Sequence, residues 1–90
     1  MTKAEATEVA RKYVKAREVD AGCELVVLEQ ETLERGFGWV FFYGSKRHVE
    51  TGDIRYALAG NAPIFVTKAG VVHETGTAMP LERYLSRYET

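Results

Sequence analysis

Few residues in this chain can carry covalent or metal chemistry. Its one cysteine, Cys23, excludes an internal disulfide and a cysteine-rich metal site. Its two histidines, His48 and His73, stand far apart in sequence. No P-loop, HExxH or serine-nucleophile motif occurs. No basic excess exists either: Lys+Arg number 12 and Asp+Glu 13. A dedicated nucleic-acid binder needs positive charge to release counterions from phosphates, so that class is set aside. No apolar run approaches the roughly 20 residues of a membrane span. No apolar segment follows the charged start MTKAEATEV, and a cytoplasmic setting is the expectation. Repeats, linkers and low-complexity segments are missing too, which leaves one expected domain over residues 1–90.

What is present is an ordinary globular balance, 46% hydrophobic and 28% charged. Thr2 to about Arg17 reads as a helix. Thr2 and Glu5 form an S/T-x-x-E capping box, in which each side chain satisfies a free backbone N–H. Ala6, Val9, Ala10 and Tyr13 keep helical spacing, with Val14 widening the apolar face. Asp20-Ala-Gly22 breaks the pattern.

Leu25 to Leu28 is a β-rich run that continues towards Leu33. Glu29, Glu31, Glu34 and Arg35 then take over, as at a hairpin tip, and Gly36-Phe-Gly38 punctuates. Trp39-Val-Phe-Phe-Tyr43 is apolar on both faces, the mark of a central strand. Gly44 to Asn61 is polar and irregular, with a short helix predicted around Asp53 to Leu58. Pro63 opens a hairpin of Ile64–Thr67 and Val71–Thr75 around Lys68-Ala-Gly70. Pro80 starts a last helix, whose Leu81, Tyr84, Leu85 and Tyr88 fall on one stripe. The expected class is α+β: a mainly antiparallel sheet of about four strands, with the N-terminal and C-terminal helices packed on one face.

Each chemically suggestive residue has an ordinary reading. His73 and Glu74 are neighbours in a strand, so they point to opposite faces and cannot share a metal or a proton. Lys46-Arg-His48 is a solvated basic turn. Cys23 lacks a placed base to lower its pKa and reads as a structural thiol. Gly36-Phe-Gly38 lacks the context of a dinucleotide loop. Glu50 and Asp53 read as turn and cap. No catalytic residue, cofactor site or metal site is assigned. A small hydrolase using Cys23 or His73 is the least favoured function.

Aromatics are the richer signal. Trp39, Phe41, Phe42, Tyr43, Tyr56, Tyr84 and Tyr88 are many for so small a domain. Trp and Tyr suit interfaces, since one end is apolar and the other hydrogen-bonds. The expected contact residues are Trp39, if its edge is exposed, with Arg55, Tyr56 and the acidic Glu31 and Glu34, which suit a basic partner.

Four stretches carry a family resemblance: Trp39 with its following aromatics, Glu50-Thr-Gly-Asp53, Leu58-Ala-Gly-Asn-Ala-Pro-Ile-Phe-Val66, and Gly76-Thr-Ala-Met-Pro-Leu-Glu-Arg-Tyr-Leu85. In this order and spacing the chain resembles the immunity protein 35 family, the YrhB-type domain, over about Val27 to Tyr88. The resemblance implies a small cytoplasmic bacterial protein that binds and blocks a cognate toxin domain of a polymorphic toxin system. It brings no catalytic residues. The alternative is a chaperone-like or regulatory protein-binding module without a toxin partner. An edge strand offers either version a route to a homodimer.

Overall fold

The computed structural model describes residues 1–53, 55, 62–76 and 80–86. Helix α1 (Lys3–Ala16) begins at the expected capping box. The Thr2 N–H donates to Glu5 Oε1 at 2.8 Å, and the Glu5 N–H donates to Thr2 Oγ1 at 3.2 Å. Its buried stripe is Ala6, Ala10 and Val14. Two alanines in that stripe let the helix axis lie close to the sheet. A short helix α2 (Glu18–Ala21) follows, and Gly22 ends it in the left-handed conformation, φ 71°. The Glu18 carboxylate accepts the Leu25 N–H at 2.8 Å and ties this corner to the first strand.

That strand, β1 (Leu25–Val27), stops sooner than the sequence suggests. A 3₁₀ turn over Glu29–Glu31 intervenes, and β2 (Leu33–Arg35) is a separate strand. The Thr32 hydroxyl and N–H both donate to the Glu29 carbonyl, which explains the break. The aromatic run is also divided. β3 (Gly38–Phe41) lies in a four-stranded antiparallel sheet ordered β2-β3-β5-β6. β4 (Tyr43–Ser45) pairs with β1 in a two-stranded sheet. Phe42 is the point of transfer, and its carbonyl accepts the Leu28 N–H at 2.8 Å.

The polar stretch after β4 holds a helix where the sequence reading had irregular chain. Helix α3 (Lys46–Thr51) is capped by Ser45, whose Oγ accepts the His48 N–H at 3.3 Å. The helix expected at Asp53 to Leu58 falls almost wholly outside the described residues. Within that stretch Asp53 Oδ1 accepts the Arg55 N–H at 3.0 Å, an Asx-type turn at the position expected of a cap.

β5 (Ile64–Thr67) and β6 (Val72–Glu74) form the expected hairpin around Lys68-Ala-Gly70. Gly70 has φ 87°, a region that favours glycine. Helix α4 (Leu81–Leu85) follows Pro80. One other glycine is fixed by packing. A Cβ on Gly38 would come within 3.0 Å of the Val66 carbonyl, the Phe65 ring and Thr67 Cα. Only glycine lets β3 and β5 close there.

The α+β class and antiparallel sheet agree with the sequence reading. The two terminal helices, expected together on one face, take one face each. Trp39, Phe41, Ile64 and Val66 point to α1 and meet Ala6, Ala10, Val14 and Leu25. Val40 and Phe65 point the other way and meet Leu85, with Leu33, Phe37, Phe42 and Leu81 around them. The reason lies in β3 and β5 themselves. They are buried along their length, so both sheet faces need a cover.

Candidate protein-binding surface

Two of the candidate contact residues, Glu31 and Glu34, lie at the edge of the sheet where β2 runs. The 3₁₀ turn directs Glu29 and Glu31 into solvent. Glu29 binds Arg11, whose guanidinium also binds Glu8 and is held above its usual range chiefly by Glu29. Glu31 has no ion pair among the described residues. Glu34 is exposed on β2, directly across from Trp39 in the β2–β3 register.

Lys68, from the hairpin loop, connects these two. Its Nζ sits 4.2 Å from the centroid of the Trp39 ring and 3.8 Å from Glu34 Oε2. In the sequence Lys68 reads only as a loop residue. Its signal is positional: it follows Thr67, which pairs with Gly38, and so reaches the end of β3 beside Trp39. A cation over an indole face is attractive.

Trp39 itself is corrected by this geometry. Its role as a contact residue requires an exposed edge, and it is only 2% exposed. It belongs to the core under α1, and its Nε1 is buried without a hydrogen-bond partner. A buried indole in the middle of a sheet cannot serve as a contact residue on this surface. Its covering Lys68 is what a partner would meet.

Arg55 belongs to a different local arrangement, after α3. Its Nη2 lies 2.6 Å from Asp53 Oδ2, and its Nε lies within 3.1 Å of both Asp53 oxygens. The contact raises the Arg55 pKa and lowers that of Asp53, by direct side-chain hydrogen bonding in both cases. The arginine side chain is 78% exposed, so this is a surface ion pair of small energetic value. Tyr56 lies outside the described residues.

The remaining candidates do not converge. His73 stacks on Phe65 on the α4 side of the sheet, with centroids 6.0 Å apart. Glu74 turns to the α1 side, where the Tyr13 hydroxyl and Arg17 guanidinium both donate to it. Burial, then the Glu74 contact, raises the Tyr13 pKa. Cys23 packs at the margin of the α1-side core, so the sheet separates it from His73. It lines an open cleft of about 400 Å³ with Gly22, Glu24, Ser45, Lys46, Arg47 and Glu50. Lys46 pairs with Glu24 across that cleft at 3.3 Å. Among the described residues no three His, Cys, Asp or Glu groups gather as metal ligands. No helix among them is long and apolar enough to cross a membrane.

Comparison with known proteins places this arrangement. The sequence is 49% identical over 53 residues to the "Uncharacterized protein YrhB" of Escherichia coli (strain K12). The match covers 58% of this chain and 56% of that protein, so it spans little more than half of the relative's length. No solved structure matches the chain. The family described as Immunity protein 35 matches residues 4–87, from the first turn of α1 to just beyond α4. The chain therefore belongs to the immunity protein 35 family.

Proposed function

We propose that this protein is a non-enzymatic, cytoplasmic immunity protein that binds and neutralises a cognate toxin domain of a polymorphic toxin system. The observation that carries this reading is the family match over residues 4–87. Two features of the molecule support it. Its chemically reactive residues are dispersed over both sides of the sheet. Its β2 edge displays Glu31 and Glu34 to solvent, a surface suited to a basic partner. Arg55 and Tyr56 are proposed as a second contact set, since arginine and tyrosine are frequent interface anchors. A standard interface of about 800 Å² per partner would cover one such region and its surroundings. The chaperone-like alternative requires a broad exposed apolar patch. Among the described residues the exposed large hydrophobics are Met1, Val19, Val49 and Val71, a sparse set for that purpose.

The test is co-expression with the product of a neighbouring toxin-like gene. Protection of the host and a stable complex on pull-down are expected. Reversing two charges, Glu31→Lys with Glu34→Lys, should weaken the complex at least tenfold, which is about 1.4 kcal/mol of binding. Absence of both complex and protection would overturn the reading.

A further inference from the structure

The four-stranded sheet ends in β2 on one side and β6 on the other. The hydrogen-bond pattern shows that these edges differ. The Lys68 N–H donates to the Phe37 carbonyl at 3.1 Å, so Phe37 turns its backbone groups to β5. By alternation Gly38 and Val40 turn theirs to β2, where they meet Arg35 and Leu33. Within β2, only Glu34 faces outward. Its carbonyl already accepts from Arg35 Nη1 at 3.2 Å. With a 3₁₀ turn before it and its outward carbonyl taken, β2 is a blunted edge.

β6 is not blunted. The Thr67 N–H donates to the Val71 carbonyl at 2.9 Å, and the Thr75 N–H donates to the Pro63 carbonyl at 3.4 Å. Residues 71, 73 and 75 therefore face β5, and Val72 and Glu74 turn both N–H and C=O away from the sheet. Neither makes another backbone hydrogen bond among the described residues. Val71 is 51% exposed and the Glu74 side chain 57%, so the edge is open to solvent. The grip of Tyr13 and Arg17 on the Glu74 carboxylate holds the strand in place.

We propose that β6 is a homotypic pairing edge: two copies of this chain join antiparallel across it, with the two-fold axis at His73. The choice of occupant follows from self-complementarity. In this register Val72 lies opposite Glu74 of the partner subunit. All outward N–H and C=O groups of both copies are then paired. Centring the axis on Val72 would set Glu74 against the left-handed turn at Gly70. Centring it on Glu74 would oppose two carboxylates directly. The axis is perpendicular to the sheet, so both copies of α1 stay on one face. The pairing rests on the β6 ladder and stands whether or not a toxin partner exists.

The register is tested by crosslinking. Across the axis the two copies of residue 73 form a non-hydrogen-bonded pair with Cα atoms about 4.5 Å apart, within disulfide reach. In a Cys23→Ser background, His73→Cys should form a covalent dimer on mild oxidation. Val71→Cys, at the more exposed position but displaced along the strand, should not. Sedimentation of the full chain provides the second readout. Val72→Pro removes an N–H that faces away from its own sheet, while Val72→Ala keeps it. Val72→Pro should weaken self-association about tenfold or more relative to Val72→Ala, from the hydrogen bonds lost at both symmetric positions. A wild-type chain that stays monomeric to about 1 mM overturns the proposal. So does crosslinking as efficient at position 71 as at 73. A dimer indifferent to Val72→Pro, or a β6 edge that takes an extended segment of another protein in place of a second copy, overturns it as well.

Discussion

On one face of the four-stranded sheet, the 14-residue helix α1 sets Ala6, Ala10 and Val14 against Trp39, Phe41, Ile64 and Val66. On the other, the five-residue α4 reaches Val40 and Phe65 with Leu85. The first contact joins small helix residues to large sheet residues, and the helix brings its own cap. The second joins large residues to large residues, and no side-chain hydrogen bond caps α4. An isolated helix of five residues is not stable in water. So α1 contributes order to the sheet, whereas α4 receives its order from the sheet. The Arg35–Glu82 ion pair at 2.6 Å is a further tie from β2 to α4, at the surface.

The largest expected effect separates the faces directly. Phe41 is fully buried under α1, and Phe41→Ala should cost about 3–5 kcal/mol. Leu85 is equally buried, but α4 can shift inwards or fray to relieve the cavity. Leu85→Ala should fall near the low end of its class, about 2 kcal/mol. Urea denaturation measures both. Native-state hydrogen exchange should show protection lost throughout the sheet in the first variant and chiefly in α4 in the second. A Leu85→Ala loss equal to that of Phe41→Ala would mean the two faces carry the fold alike.

A smaller effect is expected at the boundary of the α1 face. Trp39 is packed with the core yet leaves its Nε1 without a partner. An unsatisfied buried donor costs about 1–3 kcal/mol. Trp39→Phe removes that donor while giving up part of the ring's burial, and it keeps an aromatic face under Lys68. The two changes oppose each other, so stability should move by no more than about 1 kcal/mol. Trp39→Ala should cost about 3–5 kcal/mol. A loss above about 2 kcal/mol in Trp39→Phe would show that the indole N–H is satisfied in solution.

The same contrast explains what could be read from the chain. The α1 cap, its apolar stripe and the β5–β6 hairpin were legible because each depends on residues close in sequence: Thr2 with Glu5, Ala6 with Ala10, and Lys68-Ala-Gly70. The helix α3 was not, because its cap is the last residue of a strand, Ser45, whose role depends on β4 pairing with β1. The transfer of the aromatic run at Phe42 was hidden for a similar reason. Period-2 alternation shows that both faces are apolar but not that the strand changes sheets. At the candidate surface, exposed Glu31 and Glu34 were legible from charge. The burial of Trp39 and the arrival of Lys68 over it depend on β3–β5 pairing between residues distant in sequence.

The smallest expected effect tests the claim that α1 brings its own order. Glu5 is held below its usual carboxyl value of 4.5, first by the Thr2 backbone N–H and then by the Thr2 hydroxyl. A depressed carboxyl stabilises the fold above its unfolded pKa and loses that contribution as pH falls through the folded value. Glu5→Gln should therefore be slightly less stable than wild type at pH 7, and the gap should close as pH falls below 4.5. Thr2→Ala removes the hydroxyl acceptor for the Glu5 N–H at any pH and should cost about 1 kcal/mol at pH 7, with most of that retained in acid. Thermal denaturation of the three proteins across this range separates the two halves of the box. If Glu5→Gln is as stable as wild type at pH 7, the cap contributes nothing through its carboxylate. The independence of α1 would then rest on its buried stripe alone.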